Sequence, residues 1–144
     1  MSIEENKALI RRYYHEIWNQ WNLDLADDLV STNFAFRGSL GVTVRGIDGF
    51  QQYVRMVRIA FPNFHNAVED LIAEGDKVGA RLTYRGTHQG ELFGIAATGK
   101  QVTYSGMAIF RIEAGKIAEG WVIGDTLALS QQLGAVPAAG ETPW

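Results

Sequence analysis

The sequence contains no cysteine, which excludes disulfides, a thiol nucleophile and thiolate metal sites. The same absence fits a reducing compartment, and we expect a cytoplasmic protein. No apolar run approaches the roughly 20 residues that a membrane-spanning helix needs. The acidic, polar start Met-Ser-Ile-Glu-Glu does not have the pattern of a signal peptide. The formal net charge of −3 argues against nucleic acid or an anionic membrane as a partner.

Motifs for metal, nucleophilic and phosphate chemistry are also missing. The histidines, His15, His65 and His88, are scattered without the spacing of ligands, so we expect no metal site. There is no Gly-x-Ser-x-Gly elbow. The glycines between Gly86 and Gly99 are not followed by the Lys-Ser/Thr pair of a phosphate-binding loop.

The length of the chain suits one domain with a sizeable core. Of its 144 residues, 47% are hydrophobic and 20% are charged, as is ordinary for a globular protein. We expect a single domain over residues 1–134 and a C-terminal tail over residues 135–144, which is rich in Ala, Gly and Pro.

The first helix is predicted from its cap and from its aromatic stripe. Ser2 and Glu5 have the spacing of a capping box. Apolar residues then recur every three or four positions, as on one face of a helix. The stripe is typical of core, although Tyr14 and Trp18 can also edge a pocket because each has an apolar body and a polar tip. Its members are Ile10, Tyr13, Tyr14, Ile17, Trp18 and Trp21.

Two further helices and two short strands are predicted next. Asn22 caps the second helix, which ends at residues 31–33, and Asp48 caps the third. The third helix stops at Pro62, because the residue before a proline is pushed out of helical geometry. Phe34 and Phe36 share one face of the first strand. The strands are expected at residues 34–37 and 42–45.

The second half of the chain has the period of two that is typical of strands. A loop from His88 to Lys100 interrupts it and carries three glycines. This loop is longer than most connections in a compact domain, and such loops often cover a functional site. Strands are expected at residues 65–73, 77–87, 101–112 and 116–125, and a final helix at residues 126–133.

The last strand, from Lys116 to Asp125, follows hairpin-turn chemistry at Gly115. Because side chains alternate, Trp121 and Asp125 share a large, mixed face, and the opposite face is small. If the large face lines a cavity, apolar surroundings raise the pKa of the Asp125 carboxyl and make it a candidate acid/base. Asp is also a favoured N-cap residue, so Asp125 can instead cap the final helix. The strand pattern leaves both roles open.

These elements predict an α+β fold. Three N-terminal helices pack in a strongly curved mixed or antiparallel sheet, which forms a cone with an internal cavity. A mostly apolar cavity with a few polar groups is the usual form of a small-molecule site. The outer face of the sheet carries Val, Ile and Met beside Arg and Thr, from which we expect a homodimer.

Four stretches occur together in an order and spacing that resemble one family. From about Asn6 to Gly134 the chain resembles the SnoaL-like polyketide cyclases, a branch of the cone-shaped folds related to nuclear transport factor 2 and ketosteroid isomerase. The stretches are Ala60-Phe-Pro62 at a helix end, Glu74-Gly-Asp76 in a turn, Gly86-Thr-His-Gln-Gly90 at the start of the loop, and Gly115-Lys-Ile-Ala-Glu-Gly-Trp121 leading to Asp125.

The resemblance implies a cofactor-free enzyme that closes a ring in a hydrophobic small molecule by intramolecular aldol condensation. It implies that Asp125 is the general acid/base and that His88 lies in the same cavity. The reaction needs a base for a carbon-bound proton and donors for the enolate or carbonyl oxygen, a role that suits His88 or Tyr14. The residues expected to bind substrate are Tyr14, Trp18, Phe34, Phe36, Phe61, Phe93, Tyr104 and Trp121.

The chain departs from the family pattern at three places. Relatives carry a His near the position of Thr32-Asn33, a Pro before the Thr-Gly of the loop, and Asp at the position of Asn63. The first departure alters a pocket wall and leaves the substrate open. Two alternatives also remain. One is a related isomerase or epoxide hydrolase. The other is a non-catalytic binding or dimerisation module, with a filled cone and Asp125 used only as a cap.

Overall fold

A computed structural model describes residues 2–136, so Met1 and residues 137–144 of the predicted tail lie outside the described residues. The described part of the chain forms four α-helices and six strands, as the predicted α+β class requires. The helices are α1 (Ile3–Arg12), α2 (Ala26–Leu29), α3 (Gly46–Ala60) and α4 (Thr126–Gln132). The strands are β1 (Val30–Arg37), β2 (Thr43–Arg45), β3 (His65–Glu74), β4 (Lys77–Thr87), β5 (Gln101–Glu113) and β6 (Lys116–Gly124).

The first helix begins with the predicted capping box. The Glu5 N–H donates to the Ser2 hydroxyl and the Ser2 N–H donates to the Glu5 carboxylate, both at 3.1 Å. The helix continues as a π-helical segment over Tyr13–Asn19. Its wider turns keep the sequence neighbours Tyr13 and Tyr14 both buried. The predicted stripe therefore points into the protein except at Trp21, which follows the helical segment with φ of +57° and is only partly buried.

Three predicted boundaries are wrong. Asn22 does not cap α2, because its side chain makes no capping hydrogen bond and a 3₁₀ turn over Leu23–Leu25 lies between it and the helix. Residues 31–33 do not end the second helix but belong to β1, because Val30 already pairs with Ile117 of β6. Asp48 does not cap α3, which follows Arg45 and starts at Gly46 with φ of +81°. Asp48 lies in the first turn instead, where a negative charge interacts favourably with the helix dipole.

The strands form one open, mixed sheet in the order β2-β1-β6-β5-β4-β3. β1 runs parallel to β6, and all other neighbours are antiparallel. The predicted strand over residues 77–87 is confirmed, and so is the hairpin turn before β6. Ala114 and Gly115 both have positive φ, as a two-residue hairpin turn of this hand requires.

The inward face of β6 is not the one that the sequence predicted. A bulge shifts the pairing with β5 near Ile112, and beyond it Trp121 points outward with 58% of its surface exposed. The opposite face of β6, which carries the small residues, points inward because it leaves room for bulky aromatic rings of the core. A Cβ on Gly120 would lie 3.0 Å from Phe110 and 3.2 Å from Phe36. Trp121 therefore does not face the interior of the cone.

Candidate active site

All five tyrosines of the chain converge inside the cone, and none exposes more than 3% of its surface. Burial raises the pKa of each hydroxyl above its ordinary value near 10, because the phenolate would be desolvated. At neutral pH the hydroxyls are therefore neutral and able to donate hydrogen bonds. The five are Tyr13 and Tyr14 on the π-helical segment, Tyr53 on α3, Tyr84 on β4 and Tyr104 on β5.

A cavity of about 10 Å³ lies among these rings, and we call it the tyrosine chamber. Such a volume holds about one water molecule. In this structure the cone is therefore almost filled by its own side chains. The chamber is lined by Tyr13, Tyr14, Trp18, Phe36, Ser39, Tyr53, Phe64, Asn66, Tyr84 and Val122.

Four polar atoms of the chamber wall are buried without a hydrogen-bond partner. They are the hydroxyls of Tyr13 and Tyr84, the indole nitrogen of Trp18 and the amide nitrogen of Asn66. The Trp18 N–H lies towards the Tyr13 hydroxyl and favours its phenolate form, but the pair does not meet hydrogen-bond geometry. All four groups can donate, and the two nitrogens can only donate. Orphaned buried donors are rare in native proteins, so four around one cavity match an acceptor placed in it, either a water molecule or a ligand oxygen.

Glycines make room for two of the chamber tyrosines. A Cβ on Gly106 would lie 2.5 Å from the Tyr84 ring and 2.6 Å from its hydroxyl. A Cβ on Gly38 would overlap the ring of Tyr53. A side chain at either position would force the tyrosine out of the chamber, so both rings depend on a glycine opposite them.

The chamber also depends on a side chain that fixes the π-helical segment to β3. The Asn19 amide oxygen accepts the Asn66 N–H at 2.8 Å, and its nitrogen donates to the Asn66 carbonyl at 2.9 Å. This pair of bonds holds Trp18, one residue before Asn19, beside the Asn66 side chain. The Trp18 indole N–H and the Asn66 side-chain amide, which are two of the four orphaned donors, therefore lie on the same wall of the chamber.

Three residues predicted to bind substrate line the chamber: Tyr14, Trp18 and Phe36. Tyr104 lies directly behind, with its ring centre 4.9 Å from that of Tyr84. Its hydroxyl is 3.5 Å from the Ser39 hydroxyl. The structure brings these four side chains together.

The other predicted substrate contacts lie outside the chamber. Phe34 and Phe61 are fully buried in the surrounding core, with Phe34 packed on Phe36 at 5.5 Å between ring centres. Phe93 is half exposed at the tip of the long loop, and Trp121 lies on the outer face of the sheet, where the Arg37 guanidinium stacks on it. None of these four touches the cavity in this structure.

His88 is fully buried but does not line the chamber. Its Nδ1 accepts the Thr98 N–H at 3.2 Å and lies 3.0 Å from the Thr98 hydroxyl. Because Nδ1 accepts from a backbone donor, the ring proton belongs on Nε2, which is buried without a partner. The His88 backbone bonds to Gly99 and Lys100. His88 thus ties the two ends of the long loop together.

Asp125 lies at the rim of the cone, with its side chain exposed. Its Oδ1 accepts the Ala128 N–H at 3.0 Å, which confirms the predicted cap of the last helix. The burial expected of a carboxylate on an apolar cavity wall is not observed. Its neighbour Gly124 packs against Ser39 of the chamber wall, so Asp125 lies one residue beyond that wall.

Several chamber residues were not singled out from the sequence. Tyr13 and Tyr53 were placed on buried helix faces and Tyr84 on a strand face, but nothing local shows that these faces meet. The signal that could have found Tyr53 and Tyr84 is a glycine inside or beside a strand, which often marks a close approach. The remaining ones, Ser39, Phe64, Asn66 and Val122, carry no signal that we can identify.

Among residues 2–136, no three His, Asp or Glu side chains are grouped so that they could hold a metal ion. None of the helices in the same range combines the length and apolarity needed to cross a membrane.

The model of one protein family, described as SnoaL-like polyketide cyclase, matches residues 8–133. The chain belongs to this family. No curated protein matches the sequence. Among solved structures, AclR from Streptomyces galilaeus, described as a candidate hydroxylase, is 29% identical with a TM-score of 0.83, over 97% of this chain and 87% of that one.

Two further structures show the same likeness. TsrD from Streptomyces laurentii is 27% identical with a TM-score of 0.84, over 94% of this chain and 99% of that one. A candidate polyketide cyclase from Bacillus cereus is 31% identical with a TM-score of 0.76, over 92% of this chain and 82% of that one. The SnoaL-like cone fold of the chain is thus shared over nearly its whole length.

Proposed function

We propose that this family member is a cofactor-free enzyme of the polyketide-cyclase type that binds a hydrophobic carbonyl compound in the tyrosine chamber. The observation that carries the proposal is the set of four orphaned donors around one cavity. A carbonyl or enolate oxygen accepts hydrogen bonds and donates none, so it matches this set. The aromatic walls suit a flat, apolar body. The family and the cyclase description of the Bacillus cereus neighbour agree with chemistry of this kind.

The proposed reaction is an intramolecular aldol ring closure. A base removes a proton from the carbon beside one carbonyl group, and the enolate carbon attacks a second carbonyl of the same molecule. A carbon–carbon bond forms, and the new alkoxide takes up a proton. Tyr13 and Tyr84 would donate to the enolate oxygen, since burial keeps both hydroxyls protonated.

Asp125 is the proposed base. Its support is the family resemblance and its position one residue beyond the chamber wall. The cap engages only Oδ1, so the second carboxylate oxygen can face a substrate at the rim. His88 is not proposed as a direct donor, because its ring lies outside the chamber and its Nδ1 is occupied.

The experiment is hydrogen–deuterium exchange at the α-carbon of aryl 1,5-diketones, whose separated carbonyl groups exchange slowly in neutral D₂O, followed by proton NMR. We expect the wild-type protein to accelerate exchange and Asp125→Asn to abolish the acceleration. Tyr84→Phe should lower the rate by about 10²- to 10³-fold, the usual effect of losing one oxyanion donor. If the panel binds but exchange stays at the solvent rate, catalysis is refuted.

The non-catalytic alternative also has structural support. The chamber is nearly filled, and Asp125 acts as a helix cap, which are the two features expected of a binding module on this fold. That alternative predicts binding without α-proton exchange. A ketone isomerase would give exchange together with a shifted double bond, and an epoxide hydrolase would add a solvent oxygen to its product. The same NMR assay, run in addition with a β,γ-unsaturated ketone and with an aryl epoxide, distinguishes these outcomes.

We also propose that the outer face of the sheet pairs with a second copy of the chain. Five large apolar side chains there expose 53–70% of their surface. They border a groove of about 940 Å³, and its rim carries charges of both signs, so that a two-fold copy can be complementary to itself. Apolar patches of this kind are rarely left uncovered on a monomer. The five are Ile72, Met107, Ile109, Trp121 and Ile123.

A further inference from the structure

The turn that joins β1 to β2 closes one wall of the tyrosine chamber. We call residues 38–42 the 38–42 turn. Two backbone bonds of 3.0 Å shape it, from the Gly38 N–H to the Val42 carbonyl and from the Gly41 N–H to the Gly38 carbonyl. Ser39 lines the chamber, and Leu40 is buried beside it. The tip of the turn is therefore part of the chamber wall.

Two tyrosine hydroxyls hold this turn against the chamber. The Leu40 N–H donates to the Tyr53 hydroxyl at 3.2 Å, and the Ser39 and Tyr104 hydroxyls are 3.5 Å apart. Both distances lie at or beyond the long end of the range for hydrogen bonds. On the other side the turn rests on Gly124, where an added Cβ would lie 2.6 Å from the Ser39 carbonyl oxygen.

The rest of the wall is held more firmly. Its other side chains project from helices or strands, with one exception. Phe64 lies before β3, but its ring is buried and stacks on Tyr84 at 5.7 Å. A cavity of about 10 Å³ admits no organic ligand, so a wall must move before one binds. Apart from Phe64, the 38–42 turn is the part of the wall that lies outside helices and strands, and its polar contacts with the chamber are the two long ones.

We propose that the 38–42 turn is the entrance of the chamber and that ligand oxygens replace its contacts with Tyr53 and Tyr104. The inference rests on the proposed function and extends it to the route by which the ligand enters. Donors then lie at two positions, with Tyr13 and Tyr84 on the chamber and Tyr53 and Tyr104 in contact with the turn. A ligand with two oxygens along its length, such as a substrate of a polyketide cyclase, would match both positions.

Opening of this entrance also places Asp125 beside the ligand. The turn covers Gly124, which immediately precedes Asp125 on the chain. When the turn moves away, the rim next to the carboxylate becomes the mouth of the chamber. The ligand would then contact the base at one end and the inner donors at the other.

An engineered disulfide between the turn and β6, which we call the staple, tests the entrance. Because the chain has no cysteine of its own, the two introduced cysteines have no other partner within the chain. A Cβ on Gly124 would lie 2.9 Å from the Ser39 Cβ, somewhat closer than the roughly 3.8 Å of a disulfide. A small outward shift of the turn therefore accommodates the bond in Ser39→Cys/Gly124→Cys. The probe is 2-naphthol, a flat aromatic enol, followed by quenching of tryptophan fluorescence.

We expect the oxidised staple to bind 2-naphthol at least roughly 100-fold more weakly than the same protein after reduction, because the open state is no longer populated. The two single-cysteine variants, treated with the same oxidant, control for oxidation itself. Equal affinity before and after reduction would overturn the proposed entrance. If diketone exchange fails in all forms while naphthol binding follows the staple, the cyclase function is refuted and the entrance stands.

Amide hydrogen exchange tests the same motion without any ligand. The Leu40 amide should exchange through local opening, faster than the amides of the central strand β5. Tyr53→Phe should raise its exchange rate about 2- to 10-fold, which corresponds to one net hydrogen bond. Tyr84→Phe, which alters the chamber without touching the turn, should leave the rate unchanged. A Leu40 amide that exchanges only as slowly as β5 would rule out the entrance.

Discussion

Two tyrosine-to-phenylalanine changes in the chamber should shift stability in opposite directions. The Tyr84 hydroxyl is buried without a partner, whereas the Tyr53 hydroxyl accepts the Leu40 N–H at 3.2 Å. Both substitutions remove one oxygen from a buried ring and leave the ring itself in place. The pair therefore isolates the effect of hydrogen bonding from the effects of volume and packing.

The magnitudes follow from the two environments. An unpaired buried polar group costs about 1–3 kcal/mol, so Tyr84→Phe should raise the free energy of unfolding by about 1 kcal/mol. Tyr53→Phe removes a hydrogen bond and leaves the Leu40 N–H without an acceptor, so it should lower that free energy by about 1 kcal/mol. For a chain of this size each change corresponds to a shift in Tm of about 3 °C.

The assay is urea unfolding of both variants and the wild type, followed by circular dichroism at neutral pH. The more stable Tyr84→Phe protein should also be the one that loses diketone exchange, because the orphaned hydroxyl is kept for the ligand. A Tyr84→Phe variant that is destabilised by more than about 1 kcal/mol would refute this reasoning. It would mean that the hydroxyl already has a partner in the ligand-free protein, such as an ordered water.

Three other predictions concern the cap, the tyrosines and the outer face. Asp125→Asn should leave stability within a few tenths of a kcal/mol, because Asn caps as well as Asp, and Asp125→Ala should cost about 1 kcal/mol in urea unfolding. Because burial raises the tyrosine pKa values, their contribution to stability is complete below pH 10 and declines above it. Tyrosinate absorbance should therefore appear together with loss of the far-ultraviolet signal, not before it. Ile109→Lys should convert a dimer into a monomer in sedimentation equilibrium, whereas the control Lys77→Arg on the groove rim should leave the dimer intact. If the wild-type protein is a monomer at micromolar concentration, the dimer proposal is refuted.

The elements that the sequence predicted well are those set by neighbouring residues. The capping box at Ser2 needs only Glu5 three positions later, and the hairpin before β6 needs only the permissive backbone of Gly115. β4 alternates cleanly because one of its faces packs on the core and the other does not. Such signals act within a few residues, so they can be identified before any tertiary contact is known.

The failures share a different cause, which is dependence on distant parts of the chain. The small face of β6 turns inward because Phe36 and Phe110 close on Gly120, and the large face satisfied the same alternation. β1 starts at Val30 because that residue pairs with Ile117 of the parallel strand β6. The convergence of the tyrosines likewise depends on how the π-helical segment docks on β3. None of these contacts leaves a pattern inside one short segment.

The two roles of Asp125 that the sequence left open are compatible once the entrance is considered. A cap that engages Oδ1 fixes the orientation of the carboxylate and leaves the second oxygen for chemistry. In the closed state the proposed base lies outside the chamber and the donors lie inside it, so the free protein has no assembled site. Only a ligand long enough to hold the turn open while its oxygens reach Tyr13 and Tyr84 would bring base and donors onto one molecule. Short ketones should therefore bind at the mouth without reacting, and α-proton exchange should begin only when a second carbonyl extends into the chamber.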